Sequence, residues 1–354
     1  MKKALFLATF LAAGVGAAHA QSSVTLYGRV AAGLDFVSNV ATASGQSSNL
    51  FRFGSNQYGI SWWGLTGTED LGAGLHADFK LESAFTSGTG QVGQSLFNRY
   101  AYVGLSKDNW GSVWAGQVMA LTDETGYYLD PMGEQAMGVA NFAKGRAWGS
   151  RSNTITYNSP KWAGFSFRLQ NGFGNTAGDF RANRQLSASA AYSVGGFNAY
   201  GVYEEIRDAN GHFSNPYVAS REYMIGGTYQ FSALKFYAGY QALVSSGSDT
   251  VASANNPAAS TRNQQEWLGV AYQVNSALAV QAAWYHGNAN HGGGNGNLGT
   301  LGATYNLSKR TFLYAAVGAM FNGANANFPV EAADSLPLAG HNQQGGYFGM
   351  MHMF

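Results

Sequence analysis

The sequence has no cysteine, few charged residues and few prolines. Without cysteine the chain forms neither a disulfide framework nor a thiol active site. Charged residues make up only 11% of the chain and there are 6 prolines, whereas soluble domains carry roughly a quarter charged residues. Beyond Ala20 no apolar run is long enough for a membrane-spanning helix. These absences exclude thiol enzymes, disulfide-stapled scaffolds and helical membrane proteins.

The N-terminus has the pattern of a secretory leader. Lys2 and Lys3 precede an apolar run from Ala4, and Ala18-His19-Ala20 is a small-x-small cleavage site. We therefore expect a signal peptide over residues 1–20 and a mature, exported chain from Gln21. A membrane anchor is the less favoured alternative, because the run is shorter than the roughly 20 residues that a spanning helix needs. Removing two of the 20 basic residues leaves 18 against 19 acidic ones, which argues against nucleic acid as a partner.

What the chain does contain is glycine and aromatic side chains. It has 48 glycines and 14% aromatic residues, with a mean hydropathy of −0.15. An exported chain of this composition without an apolar helix fits an outer-membrane β-barrel, in which apolar residues occupy only alternate positions.

The period of the apolar residues supports strands. In "GLHADFKLESAF", Leu75, Ala77, Phe79 and Leu81 alternate with His76, Asp78, Lys80 and Glu82. The same period of two recurs in "GFSFRLQ" and "REYMIGGTYQF". A soluble sandwich with its apolar face inward gives the same pattern, so the connections must decide between the two folds.

The connections alternate short and long, as periplasmic turns and extracellular loops do. Short turns are predicted near residues 67–73, 107–110, 160–163, 194–196, 231–234, 275–277 and 307–310. Long polar segments are predicted near residues 37–55, 86–95, 119–152, 172–184, 207–219, 244–264, 287–296 and 322–344. They predict an all-β fold of one domain, residues 21–354: a sixteen-stranded antiparallel transmembrane barrel large enough to enclose an aqueous lumen.

The two ends of the chain are predicted to pair. The final strand, residues 345–354, must lie beside the first, "SVTLYGRVAAGLDF", because an unpaired strand edge in lipid leaves backbone groups unsatisfied. Phe354 would then lie in the aromatic girdle at the periplasmic interface.

Several segments together resemble the general porins of Gram-negative bacteria, particularly the beta-proteobacterial type. They are "VTLYG", "GLTGTEDLGAGLHADFKLESAF", "LFNRYAYVGLS", "WGSVWAGQ", "ITYNSPKWAGFSF", "NLSKRTFLYA" and "GMMHMF". The resemblance implies a homotrimeric outer-membrane channel for passive diffusion of ions and small hydrophilic solutes, with the third long loop folded inward and no cofactor. It also implies that Phe354 is part of the signal read by the barrel-assembly machinery.

The resemblance also implies a charged constriction, with basic residues on the barrel wall. Arg29 and Arg99 match basic wall positions of the family, and Arg168 is lumenal by alternation. Trp62 stands where the family has an arginine, and Gly116-Gln117-Val118 stands where the family has Gly-Arg-Gln at the end of the fifth strand. Met351 and Met353 stand where the final strand of the family often carries basic residues. Arg146 and Arg151 are therefore candidate replacements at the end of the third loop, and a strong anion preference becomes doubtful.

Acidic candidates opposite this wall lie in the third long loop: Asp123, Glu124, Asp130 and Glu134. Trp62, Asp78, Lys80 and Glu82 are further lumen-facing candidates, and Tyr127 and Tyr128 would add apolar surface to the passage. Opposed charges across a narrow passage would order water and orient polar solutes. The alternative for the loop is an ordinary solvated extracellular loop.

Other functions leave weaker traces. "HGGGNGNLG" has an oxyanion-hole-like string and a dinucleotide-like glycine spacing, but no strand-to-helix turn follows, and a flexible glycine-rich loop is the favoured interpretation. The mature histidines have no metal-ligand spacing. A substrate-selective channel, an outer-membrane hydrolase and an adhesin or structural barrel stay open as alternatives, the adhesin because of long Ser/Ala/Asn-rich loops.

Overall fold

One antiparallel sheet of seventeen strand segments closes on itself in the computed structural model, counted over the residues that the structure describes. These are residues 23–133, 135–146, 149–247, 259–332 and 335–354. The predicted signal peptide, the mature start at Gln21 and the candidate Glu134 lie outside the described residues.

The strands follow one another along the chain with each neighbour antiparallel. Their bounds are β1 (Ser23–Ala41), β2 (Ser47–Gly54), β3 (Ser61–Gly72), β4 (Leu75–Phe85), β5 (Tyr100–Lys107), β6 (Gly111–Met119), β7 (Ser150–Asn158), β8 (Phe165–Gly172), β9 (Gln185–Val194), β10 (Phe197–Ile206), β11 (Arg221–Phe231), β12 (Leu234–Val244), β13 (Arg262–Gln273), β14 (Leu278–Ala289), β15 (Gly294–Asn306), β16 (Thr311–Asn322) and β17 (Gln343–Met353).

Two of these segments form a single strand of the barrel. β1 pairs with β3 from Ser23 to Arg29 and with β2 from Gly33 to Ala41. β2 and β3 are therefore the two halves of the second barrel strand, interrupted at residues 55–60. Counted in this way the described barrel has sixteen strands, which confirms the predicted fold.

The barrel closes between its first and last strands. β1 pairs with β17 from Arg29 opposite Met353 to Val37 opposite Gly345. The Phe354 N–H donates to the Gly28 carbonyl at 3.0 Å, and the Gly28 N–H donates to the Phe354 carbonyl at 3.1 Å. The predicted pairing of the chain ends is confirmed, and it leaves neither terminal strand with an open edge.

The alternation of apolar and polar residues matches the two faces of the wall. On β11, Tyr223 and Ile225 are exposed on the outer face, Ile225 to 66%, while the alternate residues Glu222 and Met224 are buried on the inner face. The outer face meets lipid and the inner face meets the lumen or a loop. Because the two surroundings differ, the sequence keeps a period of two.

At one end of the barrel six of the seven predicted turns lie between strands, whereas residues 67–72 of the predicted turn 67–73 belong to β3, and residues 73–74 join β3 to β4. At the other end two predicted connections differ. β1 and β2 are joined by residues 42–46, and β14 and β15 by residues 290–293, so the predicted long segments 37–55 and 287–296 were wrong. Both pairs of strands continue with polar residues, as at Asn288 opposite Asn295. Polar residues look like a loop in sequence, but backbone pairing does not require apolar side chains.

The glycine-rich string at residues 291–294 is a tight turn and not a flexible loop. His291 has φ 52° and Gly292 has φ 80°, and β15 begins at Gly294. Elsewhere, neither helix in the described ranges is long and apolar enough to cross a membrane.

Candidate functional site

The described part of the connection between β6 and β7 lies inside the barrel. These residues, 120–133, 135–146 and 149, are called the inward loop below and contain α1 (Leu121–Leu129) and α2 (Ala140–Ala143). Its apolar side chains, among them Leu121, Leu129 and Phe142, are almost fully buried. The loop is therefore packed on the inner wall and does not project into solvent.

The sequence of the loop explains where α1 begins and ends. Asp123 and Glu124 stand in its first turn, beside the positive end of the helix dipole. The helix stops at Leu129 because Pro131 follows Asp130, and a residue before proline is disfavoured in the α conformation. Asp130 accordingly has φ −82° and ψ 122°.

Glycines on the inner face of the wall make room for the loop. A Cβ added at Gly302 would lie 2.7 Å from the Met132 side chain, and one added at Gly318 would lie 2.8 Å from the Met137 sulfur. Four further wall glycines stand in the same relation to loop side chains: Gly226 to Leu129, Gly269 to Pro131, Gly287 to Phe142 and Gly345 to Met137. These six positions are called the glycine bed below. Because they lack side chains, the loop lies directly on the backbone of β11 and β13–β17.

Polar side chains of the same wall bind the loop backbone. The Trp267 indole N–H donates to the Leu129 carbonyl at 2.9 Å, and the Asn263 amide donates to the Phe142 carbonyl at 2.9 Å. Each bond satisfies a carbonyl at or near the end of a short helix, where no intrahelical partner is available.

Asp130 holds the inward loop in place through hydrogen bonds, and its carboxylate does not face the lumen. It is 2% exposed and accepts hydrogen bonds from the Met132 N–H at 2.9 Å, the Val139 N–H at 3.0 Å and the Tyr285 hydroxyl at 2.5 Å. The structure therefore separates Asp130 from the candidates that face the lumen.

Arg146 and Arg151 are also placed behind the loop. Arg146 lies 2.7 Å from Glu204 and 3.2 Å from Glu222, and Arg151 lies 2.8 Å from Glu204. Arg146 is 2% exposed and both glutamates are fully buried. This group of two arginines and two glutamates, called the buried anchor below, ties the end of the loop to β10 and β11. Its burial removes both arginines from contact with solutes, contrary to the sequence expectation.

In front of the loop lies a cavity of about 1150 Å³. The wall side carries Arg29 of β1, Arg99 just before β5 and Arg168 of β8, and the loop side carries Asp123 and Glu124 of α1. This space is called the central cavity below. It brings together five of the charged residues that the sequence nominates, with basic groups facing acidic ones.

Glu124 is held by two wall residues. It forms an ion pair with Arg168 and accepts a hydrogen bond from the Tyr100 hydroxyl at 3.0 Å. The charge of this carboxylate is therefore largely compensated on the wall side.

The carboxylate of Glu82 on β4 is likewise compensated by neighbouring wall residues. It lies 3.0 Å from Arg99 and 2.8 Å from Lys80, and the Tyr27 hydroxyl donates to it at 2.7 Å. The Lys80 ammonium lies 4.1 Å from the Tyr100 ring centroid. Lys80 and Glu82 thus form a compensated pair on the lumenal face.

Asp78 shares the face of β4 with Lys80 and Glu82 but lies outside the lining of the central cavity. It accepts hydrogen bonds from the Thr68 hydroxyl at 3.0 Å and the Ser106 hydroxyl at 2.6 Å. It is a lumenal carboxylate held by neighbouring strands.

Trp62 lies opposite Arg29 on the neighbouring strand. The Arg29 guanidinium carbon is 5.8 Å from the Trp62 ring centroid and that of Arg99 is 5.7 Å away, distances within cation–π range. The Arg29 Nε donates to the Ile60 carbonyl at 2.8 Å. The aromatic ring therefore stands beside two cations, where a third cation would be repelled.

The carboxyl of Asp123 has a pKa above the ordinary range. Burial raises this pKa to about 6, although the Gly149 N–H, which donates at 3.2 Å, and the nearby Arg99 and Arg151 act in the opposite direction. The charge of Glu204 adds to the increase. Asp123 therefore changes its charge close to neutral pH.

The connection between β16 and β17 is a part of the site that sequence reasoning missed. Its Glu331 lines the central cavity and lies 2.9 Å from Arg52 of β2, which also pairs with Asp35 at 2.5 Å. The signal in the sequence is the apolar pair Phe328 and Val330 inside a polar segment. Both side chains are fully buried, so this segment also turns inward.

No group of three or more His, Asp or Glu side chains within the described ranges is arranged to hold a metal ion.

Comparison with known proteins gives a consistent result. The sequence matches the Gram-negative porin family over residues 7–325. It is 31% identical to an outer membrane porin protein of Bordetella pertussis over 89% of this chain and 93% of the relative. It is 29% identical to outer membrane porin protein 32 of Delftia acidovorans over the whole of both chains.

Solved structures show the same fold. The anion-selective porin from Comamonas acidovorans superposes with a TM-score of 0.77 at 26% identity, covering 94% of this chain and 100% of that one. The trimer form of OmpT from Vibrio cholerae superposes with a TM-score of 0.66 at 16% identity over 94% of this chain and 99% of that one, which is a likeness of fold alone.

Proposed function

Because the chain belongs to the Gram-negative porin family and lies in the outer membrane, we propose that it is a passive diffusion channel with a charge-lined constriction. Porins are channels and not enzymes, so the proposal requires no reaction and no cofactor. The solutes are ions and small hydrophilic molecules that pass through the water-filled lumen beside the inward loop.

The observation that carries this proposal is the opposition of charges across the central cavity. Arg29, Arg99 and Arg168 on the wall lie opposite Asp123 and Glu124 on the inward loop, and Arg168 forms an ion pair with Glu124. Opposed charges set up a field across the passage, which orients water and dipolar solutes. Apolar molecules of the same size gain nothing from this field and lose water contacts, so they pass more slowly.

The expected ion preference is weak and anionic. Arg99 pairs with Glu82 and Arg168 pairs with Glu124, so neither adds a full charge to the passage. Arg29 has no carboxylate within ion-pair distance among the described residues. The related Comamonas porin is anion-selective, but here Trp62 occupies a position that the family gives to an arginine.

Single-channel recording in a planar bilayer tests the proposal. We expect stable conductance in KCl and, under a KCl gradient, a small reversal potential with the sign of anion preference. Folding is checked separately by the change in electrophoretic mobility on heating. A folded barrel without conductance would refute the channel.

We further propose that the protein is a homotrimer and, separately, that its C-terminal strand is read by the barrel-assembly machinery. The trimer is supported by the trimer form of the Vibrio OmpT neighbour, and conductance steps in groups of three would report it. The assembly role of Phe354 is supported by its pairing with Gly28. Deleting Phe354 should lower the amount of folded protein in outer membranes, while deleting a residue from the 173–184 loop should not.

A further inference from the structure

The central cavity combines several aromatic side chains with a cation, Arg29, that has no ion-pair partner among the described residues. Tyr58, Trp62, Tyr127 and Tyr128 line it together with Arg29. A lumen that only conducts ions is usually lined by polar groups. The aromatic side chains at this point therefore favour a solute that has an apolar group to contact them.

The terminal nitrogens of the Arg29 guanidinium are available as hydrogen-bond donors among the described residues. Its Nε is used by the Ile60 carbonyl, and over the described ranges no carboxylate lies within ion-pair distance of its terminal nitrogens. Arg99 and Arg168 differ, because each pairs with a glutamate. A guanidinium with free terminal nitrogens binds a carboxylate through two parallel hydrogen bonds.

The aromatic groups stand close to those donors. Trp62 is the cross-strand neighbour of Arg29, and Tyr58 and Tyr127 line the same cavity as Arg29. Tyr127 is 57% exposed, so its ring is available to a solute. Aromatic rings attract other aromatic rings in offset or edge-to-face contact.

We propose that the central cavity contains a subsite for aromatic carboxylates, in which Arg29 binds the carboxylate and Trp62 and Tyr127 contact the ring. This inference rests on the proposed channel function and names a substrate class for it. One uncompensated cation suits a ligand with a single negative charge. Binding stays weak because the site is open to water, which is what passage requires, since a solute held tightly does not leave.

The test compares two anions of similar size in planar bilayers at about 0.1 M KCl, where charges are only partly screened. Benzoate carries an aromatic ring and cyclohexanecarboxylate a saturated one. We expect benzoate to reduce the ion current at a roughly fivefold lower concentration, the ratio expected from a ring–ring contact. Equal concentrations for the two anions, or a stronger effect of the neutral sugar maltose, would overturn the inference.

Variants assign the effect to named residues. Trp62→Leu should bring the benzoate to cyclohexanecarboxylate ratio close to one, and Arg29→Gln should weaken both anions. Trp110→Leu, in the exposed turn between β5 and β6, is the matched control and should keep the ratio. If Trp62→Leu does not fold, Tyr127→Leu replaces it with the same expected direction.

The experiment distinguishes failure of the proposed channel function from failure of the proposed aromatic subsite. KCl conductance without any organic anion reports on the channel, and its absence would count against the proposed function. Normal KCl conductance with an unchanged anion ratio in both Trp62→Leu and Tyr127→Leu would refute only the aromatic subsite.

Discussion

The buried anchor and the central cavity both bring arginines together with acidic residues, but their surroundings differ. In the buried anchor, Arg146 and Arg151 share Glu204 and have almost no contact with water. In the central cavity, Arg29 faces the lumen and has no carboxylate partner among the described residues. The comparison shows that burial decides the role of a charged residue. Behind the inward loop a charged residue stabilises the structure, and in front of the loop a charged residue acts on solutes.

The largest effect is expected from breaking the buried anchor. Glu204→Gln leaves both arginines with one carboxylate fewer in a water-poor space, which costs about 3–5 kcal/mol. We expect a lower free energy of unfolding in urea and faster trypsin cleavage at Lys144 and Arg146. Glu205→Gln is the control, because the adjacent Glu205 pairs with Arg207 at a partly exposed site and should lose at most about 1 kcal/mol. Equal losses in both variants would contradict the distinction.

The second largest effect is expected from substitutions in the glycine bed, on which the inward loop packs between the buried anchor and the central cavity. Gly287→Ala places a methyl group against the Phe142 ring, and overpacking of this kind costs about 1–3 kcal/mol. Because the wall cannot yield, the loop should shift toward the lumen and lower the single-channel conductance. At Gly201 an added Cβ has only a backbone oxygen at 3.8 Å near it, so Gly201→Ala should conduct normally.

A third experiment removes the cation of the central cavity. A unit charge about 6 Å from the ion path is worth roughly 0.7 kcal/mol in water, or a threefold change in ion preference. Arg29→Gln should therefore shift the reversal potential toward cations in dilute KCl and much less at 1 M, where screening is strong. Arg310→Gln, in the turn between β15 and β16, should leave the potential unchanged at both salt concentrations.

The smallest effect is expected from pH. Since burial raises the pKa of Asp123 to about 6, lowering the pH from 7.5 to 5 should neutralise this carboxyl and remove one negative charge from the cavity. The channel should become more anion-preferring by at most about twofold, less than for Arg29→Gln, because the Gly149 N–H and the nearby Arg99 and Arg151 partly compensate the charge of Asp123. Asp123→Asn carries the neutral form at every pH, so it should show higher anion preference at pH 7.5 and no step between the two values. A step of unchanged size in this variant would assign the titration to another group.

Much of the barrel could be predicted from sequence because each strand lies between two different solvents. Glu222 faces inward and Ile225 faces lipid, and their odd spacing of three residues places them on opposite faces of the strand. The 42–46 and 290–293 connections could not be found in this way, because polar residues outside the membrane are compatible with both strand and loop.

The site was harder to predict for a physical reason. Arg29 and Arg146 are both arginines near the lumen, and what separates them is the path of the inward loop, which depends on contacts between distant strands. Glu204 and Glu222 occupy ordinary inward positions on their strands. Nothing in their local sequence indicates that the loop will cover them.

The glycine bed has a consequence for how the permeability of the outer membrane can change. The calibre of the passage depends on how deeply the inward loop is seated, and the seat is formed by positions that no solute touches. A single methyl group at one of them would alter the calibre without adding or removing a charge. A cell under selection by a toxic solute could therefore narrow its pores by a substitution that leaves the number of charged residues in the passage unchanged.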